Sequence, residues 1–121
     1  MQPYQILYYV DDMQRSQQFY ATILEQDGAQ LSPVFHAFSL IGGWTLALLR
    51  RDGVETEVTP AGGTELIFSR PDREAVNTTA TTWRERGVRI ALDPVESRFG
   101  YSFVALDPDG NRLRIGYFPK G

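Results

Sequence analysis

The 121-residue sequence contains no cysteine. That removes disulfides, thiolate nucleophiles and every Cys-based metal centre together. Histidine is almost as scarce. His36 stands alone, so no Ser-His-acid constellation can be assembled. Positive charge is in deficit, with 12 Lys and Arg against 15 Asp and Glu and a net charge of −3. No basic cluster stands out, which disfavours nucleic-acid binding. No apolar run approaches bilayer-spanning length, so no membrane partner is expected. Met1 to Gln5 lacks a basic region followed by an apolar one, so no secretory signal is expected and the cytoplasm is the expected location. Gly62-Gly63 is too short to cradle phosphates.

What is present is ordinary for a globular domain: 42% hydrophobic and 22% charged residues, with 11 Gly and 7 Pro. A chain of this length buries roughly 65% of its unfolded surface, enough for a real core. Tyr4 to Val10 is aromatic and β-branched and predicts a strand. Asp12 is placed to cap a helix over Met13 to Leu24, with Met13, Phe19, Tyr20, Ile23 and Leu24 on its apolar face and Gly28 suited to a left-handed end. Short strands are expected at about Ala29–Leu31, Val34–Leu40 and Trp44–Arg50, with Gly42-Gly43 as a tight turn. Arg51 to Gly63 is polar, aperiodic and glycine-rich, and reads as a linker.

The pattern then restarts. Thr64 to Ser69 predicts a strand, Asp72 caps a helix to about Arg86, and Gly87 ends it. Threonines weaken that helix, so packing of Val76, Ala80 and Trp83 must hold it. Val88–Leu92, Tyr101–Leu106 and Leu113–Phe118 supply three more strands. A longer loop is expected at Asp93 to Gly100, and a turn at Asp107-Pro108-Asp109-Gly110. Gln5 and Glu65 stand at the same separation as Asp12 and Asp72, and Gly28 and Gly87 lie one residue closer. Strand–helix–three strands therefore occurs twice. The expectation is one α+β domain over residues 1–121. Module one covers about 2–52, a linker about 51–63 and module two about 64–121.

Tyr9-Val10-Asp11-Asp12-Met13, then Ser16 and Phe19-Tyr20, resemble the first strand-to-helix junction of the vicinal oxygen chelate superfamily, which includes glyoxalases, bleomycin-resistance proteins and dioxygenases. Phe99 to Phe103 and Asp107 to Asn111 resemble its penultimate strand and final turn. The resemblance spans essentially the whole chain. It implies two βαβββ modules whose curled mixed sheets line a cavity, in a homodimer. Fold alone does not select among the superfamily's activities.

Metal-dependent members place ligands on inward strand positions that fall here at Gln5, Ala47, Glu65 and Arg114. Gln5 and Glu65 have donor oxygens, Ala47 has none, and a cation at Arg114 repels a divalent ion. No metal or other cofactor is expected, which argues against chemistry that needs a Lewis acid or redox centre. The expected cavity is aromatic and cationic. Candidate ligand-binding residues are Tyr9, His36, Phe38, Leu49, Glu65, Phe99, Tyr101, Phe103 and Arg114, with Ile67 beside them. No catalytic residue is assigned. Arg114 offers a planar fork for a ligand carboxylate, and aromatic faces suit a flat ring. On the alternative reading, Glu65 and Arg114 simply pair with each other and the aromatics are core.

Ala37-Phe38-Ser39, Leu46-Ala47-Leu48 and the Leu113-Arg114-Ile115 run look most similar to phenazine- and bleomycin-type resistance proteins, which hold an aromatic drug without covalent chemistry. The expected function is metal-independent binding and sequestration of a flat, anionic aromatic compound. The alternatives are a lyase, isomerase or dioxygenase-type enzyme with a degenerate metal site or with Glu65 as base, and an interaction domain whose cavity is filled by side chains.

Overall fold

A computed structural model describes residues 1–119 of the chain; the last two residues of the expected second module lie outside it. The chain divides between Ala61 and Gly62 into two compact units. Both are α+β, with one helix and an open four-stranded mixed sheet.

In the first unit, β1 (Gln5–Val10) leads into α1 (Met13–Leu24), followed by β2 (Ala29–Ser32), β3 (Phe35–Ser39) and β4 (Thr45–Arg50). The Asp12 carboxylate accepts from the Arg15 amide at 3.1 Å and satisfies one of the orphan donors of α1. Met13, Ser16 and Tyr20 are the buried residues of the helix. The left-handed residue at its end is Glu25 (φ 56°), not Gly28. Gly28 is left-handed too, but for a different reason: a Cβ there would lie 2.6 Å from the Ala37 oxygen and 2.7 Å from His36 Nε2. Close approach to β3, rather than helix capping, requires the glycine.

The strand order is β1-β4-β3-β2, with β1 and β4 parallel and the other pairs antiparallel. Gly42 and Gly43 belong to a 3₁₀ turn between β3 and β4. Tyr20 is fully buried, with its ring against Tyr8, Phe19 and Phe38. Burying an aromatic of this size contributes roughly 1.5–3 kcal/mol.

The second unit repeats the plan with β5 (Glu65–Ser69), α2 (Arg73–Glu85), β6 (Arg89–Ser97), β7 (Gly100–Leu106) and β8 (Arg112–Tyr117), in the order β5-β8-β7-β6. Asp72 accepts from the Ala75 amide at 2.8 Å, the counterpart of Asp12. Val76, Ala80 and Trp83 are the buried residues of α2. The Trp83 ring meets Phe68 and Phe103 edge-on at 6.3 and 5.7 Å, supplying the packing that the threonine-rich helix needs.

The expected loop from Asp93 to Gly100 is not a loop. Strand β6 continues to Ser97 and meets β7 in a tight hairpin. Pro94 has no amide to donate, so the ladder skips it: Leu92 pairs with Val104, and pairing resumes at Val95 with Ser102. No helix is long and apolar enough to cross a membrane among the described residues.

Candidate functional site

Each sheet has one face under its helix and one face free of it. Register decides which side chains stand on which. In the first unit, Ala47 is level with Leu7 on β1 and Ala37 on β3, and Ala37 is level with Ala29 on β2. Three alanines and a leucine thus form a shallow strip across the helix-free face. Tyr9, Leu49 and Phe35 make the next row of the same face. Gln5 and Thr45 lie on the other side of the strip, where the Thr45 hydroxyl donates to Gln5 Oε1 at 2.9 Å.

His36 and Phe38, expected to line a binding site, are instead on the helix side. They are level with Leu48 and Leu46. Phe38 is fully buried beside Tyr20, and His36 is 2% exposed, 4.9 Å from the Phe38 ring. His36 Nε2 lies 2.8 Å from the Asp27 carbonyl oxygen, which can only accept, so that nitrogen carries the proton. Nδ1 is buried with no hydrogen-bond partner among the described residues. The ring ties the loop after α1 to the sheet. Phe35, one residue earlier, takes the outward position that the sequence reading gave to its neighbours.

The second unit carries a denser array. Across its helix-free face run three rows: Glu65, Arg112, Leu106 and Arg89; then Ile67, Arg114, Val104 and Leu92; then Ser69, Gly116, Ser102 and Val95. Arg114 uses all three of its nitrogens. Nε donates to Glu65 Oε1 at 2.8 Å, Nη2 to Oε2 at 3.1 Å and Nη1 to Ser102 Oγ at 3.0 Å. Arg112 adds one bond, from Nε to Glu65 Oε2 at 3.0 Å. The hydrogen bond from Arg114 holds the Glu65 carboxyl below its ordinary value; partial burial opposes this, and Arg112 adds to it. Arg114 is pushed up in turn by the same bond.

This geometry depends on the turn before β8. Asp107 is buried, and its Oδ1 accepts from the amides of Asp109 at 2.9 Å and Asn111 at 2.8 Å. Oδ2 accepts from the Asn111 side chain at 2.8 Å. An Asx turn closed this tightly fixes where β8 begins, and therefore which face Arg112 and Arg114 occupy. At Gly116 a Cβ would come within 2.4 Å of the Phe118 ring and 2.8 Å of Ser102, so only glycine lets Phe118 lie there.

Phe103 and Tyr101, the remaining strand aromatics of the expected site, face α2. Phe103 is fully buried against Trp83, and the Tyr101 hydroxyl donates to Asn77 of α2 at 2.7 Å. Phe99 stands at the exposed hairpin tip. Of the expected lining residues, Tyr9 and Leu49 share the helix-free face of the first sheet. Glu65, Ile67 and Arg114 share that of the second. Arg112 was missed, although its spacing from Arg114 in a strand puts both on one side.

The donors do not fit a divalent ion. Ala47 has no lone pair, and Gln5 Oε1 already accepts from Thr45. Both Glu65 oxygens are taken by guanidinium groups, one of them standing where a metal-dependent relative would have its last ligand. Among the described residues no three His, Asp or Glu side chains gather as a metal would require. A separate cleft of about 680 Å³ at the start of α1 is lined by Asp11, Asp12, Gln17, Gln30 and Arg50 among others. Its charges are engaged, with Asp11 on Arg51 and Arg50 on Asp52.

Comparison with known proteins agrees with the duplicated plan. The model of the Glyoxalase/Bleomycin resistance protein/Dioxygenase superfamily matches residues 3–115. The phenazine antibiotic resistance protein EhpR of Enterobacter agglomerans is 26% identical over 112 residues, covering 90% of this chain and 86% of that protein. An Agrobacterium tumefaciens protein solved by solution NMR is 37% identical, with a TM-score of 0.88 and 98% of both chains covered. A lactoylglutathione lyase from the same organism shares the fold at 17% identity, with a TM-score of 0.77 and 96% and 92% of the two chains covered. The family model spans nearly all of the sequence, and both units carry the same strand–helix–three-strand order. This chain belongs to the glyoxalase/bleomycin resistance protein/dioxygenase superfamily.

Proposed function

We propose that the protein binds and sequesters a small, flat aromatic compound, acting in the cytoplasm as a homodimer, with no metal ion and no covalent step. The observation that carries this reading is Arg114 seated on both oxygens of Glu65 and on Ser102. A position that serves a metal in metal-dependent relatives is taken up by a fixed ion pair. The same pairing weakens Glu65 as a base. A carboxylate held below its usual range by guanidinium partners accepts a proton poorly near neutral pH. The half-buried Tyr9, Phe35 and Leu49 on the helix-free face of the first sheet, and the exposed Ile67 on that of the second, are apolar groups that suit a planar ring. The relationship to a phenazine antibiotic resistance protein favours a tricyclic aromatic among such ligands.

The test is a thermal-shift screen of phenazines, acridines and quinones in chelator, with mass spectrometry of each compound after incubation. The expected result is a raised Tm with the compound recovered unchanged. Conversion of the compound, or shifts that appear only with added metal, would overturn the proposal.

A further inference from the structure

The sequence alone singles out Arg114 as the anchor for a ligand acid. The geometry points to a different residue: we propose that Arg112 is the carboxylate-binding group, and that the preferred ligand is an aromatic monoacid. The assignment rests on the small-molecule reading above.

Arg114 has a partner on each of its three nitrogens, which leaves one N–H on each Nη of a side chain only 24% exposed. Its Nε and Nη2 are on Glu65 and its Nη1 is on Ser102. Arg112 gives Glu65 only its Nε. Its Nη1 and Nη2 have no protein partner among the described residues and are not buried, with the side chain 36% exposed. Two parallel donors on a planar group fit one carboxylate in a bidentate pair. Glu65 sets the orientation by fixing the Nε edge, so less rotamer freedom is lost when an acid docks.

Charge points the same way. Glu65 neutralises one of the two guanidinium groups, which leaves the cluster with one uncompensated positive charge. Arg89 stands in the same row, two strands across, at about 10 Å by sheet spacing. In the next row, Ile67 on the adjacent strand β5 is exposed beside Arg112, whereas the exposed Leu92 and Val95 lie on β6 at the far edge of the sheet, with Arg114 and the buried Val104 between. A flat ring resting on Ile67 brings one carboxylate to Arg112. A neutral ring has only the apolar contact.

Isothermal titration with phenazine-1-carboxylate and acridine-9-carboxylate, each against its neutral parent, tests this on the full chain. Wild type should prefer each acid, and Arg112→Gln should weaken the acids by about tenfold or more while leaving the parents within about twofold. Arg112→Lys should recover part of the loss, since it restores charge without the fork. Circular dichroism and Tm establish that each variant is folded. If wild type binds neither acids nor parents, the small-molecule reading fails and the assignment with it. If wild type binds both but Arg112→Gln weakens acid and parent alike, or neither, binding stands and the role of Arg112 is refuted.

Discussion

Arg114 closes over both carboxylate oxygens of Glu65, at 2.8 and 3.1 Å, from the strand beside it. A two-point contact of this kind fixes one side chain against the other, and the Ser102 hydroxyl holds the remaining arm. The pair is part-buried, which sets the size of the effects that follow.

Arg114→Met removes three charge-assisted bonds and leaves Glu65 with Arg112 alone. The expected cost is about 1–3 kcal/mol by urea denaturation, because a part-buried carboxylate loses its better partner. Arg112→Gln, which loses one half-exposed bond, should cost less than about 1 kcal/mol. Equal costs would mean that the two arginines share Glu65 evenly.

Glu65 also gives stability a pH signature. Its folded pKa lies below the ordinary value of 4.5. Its contribution is therefore fully present above that value and is lost as pH falls through the lower folded one. Glu65→Gln should be less stable than wild type at pH 7, and the gap should narrow below pH 4.5. A gap that stays constant down to acid unfolding would contradict the ion pair.

Core and face positions should separate cleanly. Phe38→Ala and Phe103→Ala each empty a fully buried site and should cost about 3–5 kcal/mol. Phe35→Ala and Tyr9→Ala, on the helix-free face, should cost less and should weaken ligand in proportion. The check is urea denaturation beside ligand titration. A ligand effect specific to Phe38 would restore it to the site.

Divalent ions should leave the fold untouched. An ion bound at a hundred times its Kd would stabilise by about 2.7 kcal/mol, a clear rise in Tm. Protein treated with chelator and protein given Ni, Zn or Mn should melt together.

The duplicated order, both helix caps and the closing turn were legible in the sequence because each is local. Asp12, Asp72 and the Asp107 to Gly110 turn act within a few residues of themselves. Register is not local. In β1, β4, β5 and β8 the site residues fall on one parity, and Glu65 and Arg114 share a face as the family resemblance implies. Strands β3 and β7 carry apolar residues on both parities, with Phe35 and Ala37 alternating with Phe38, and Phe103 beside Val104. Period-two reading cannot choose between such faces, so His36, Phe38, Tyr101 and Phe103, expected to line the binding site, stand instead on the side that packs on the helices. The extended β6 was hidden for a related reason: the expected strand stops at Leu92 with a loop from Asp93, whereas the ladder carries Asp93 and Pro94 as a bulge within the strand.

Calorimetric titration of phenazine-1-carboxylate into the chelator-treated protein, repeated after adding Ni, Zn, Mn and Fe(II) in turn, addresses the central claim most directly. Saturable binding with the same Kd under every condition, and the acid recovered intact, is the predicted result. Binding that requires one of the ions, or an altered compound at the end, would contradict it.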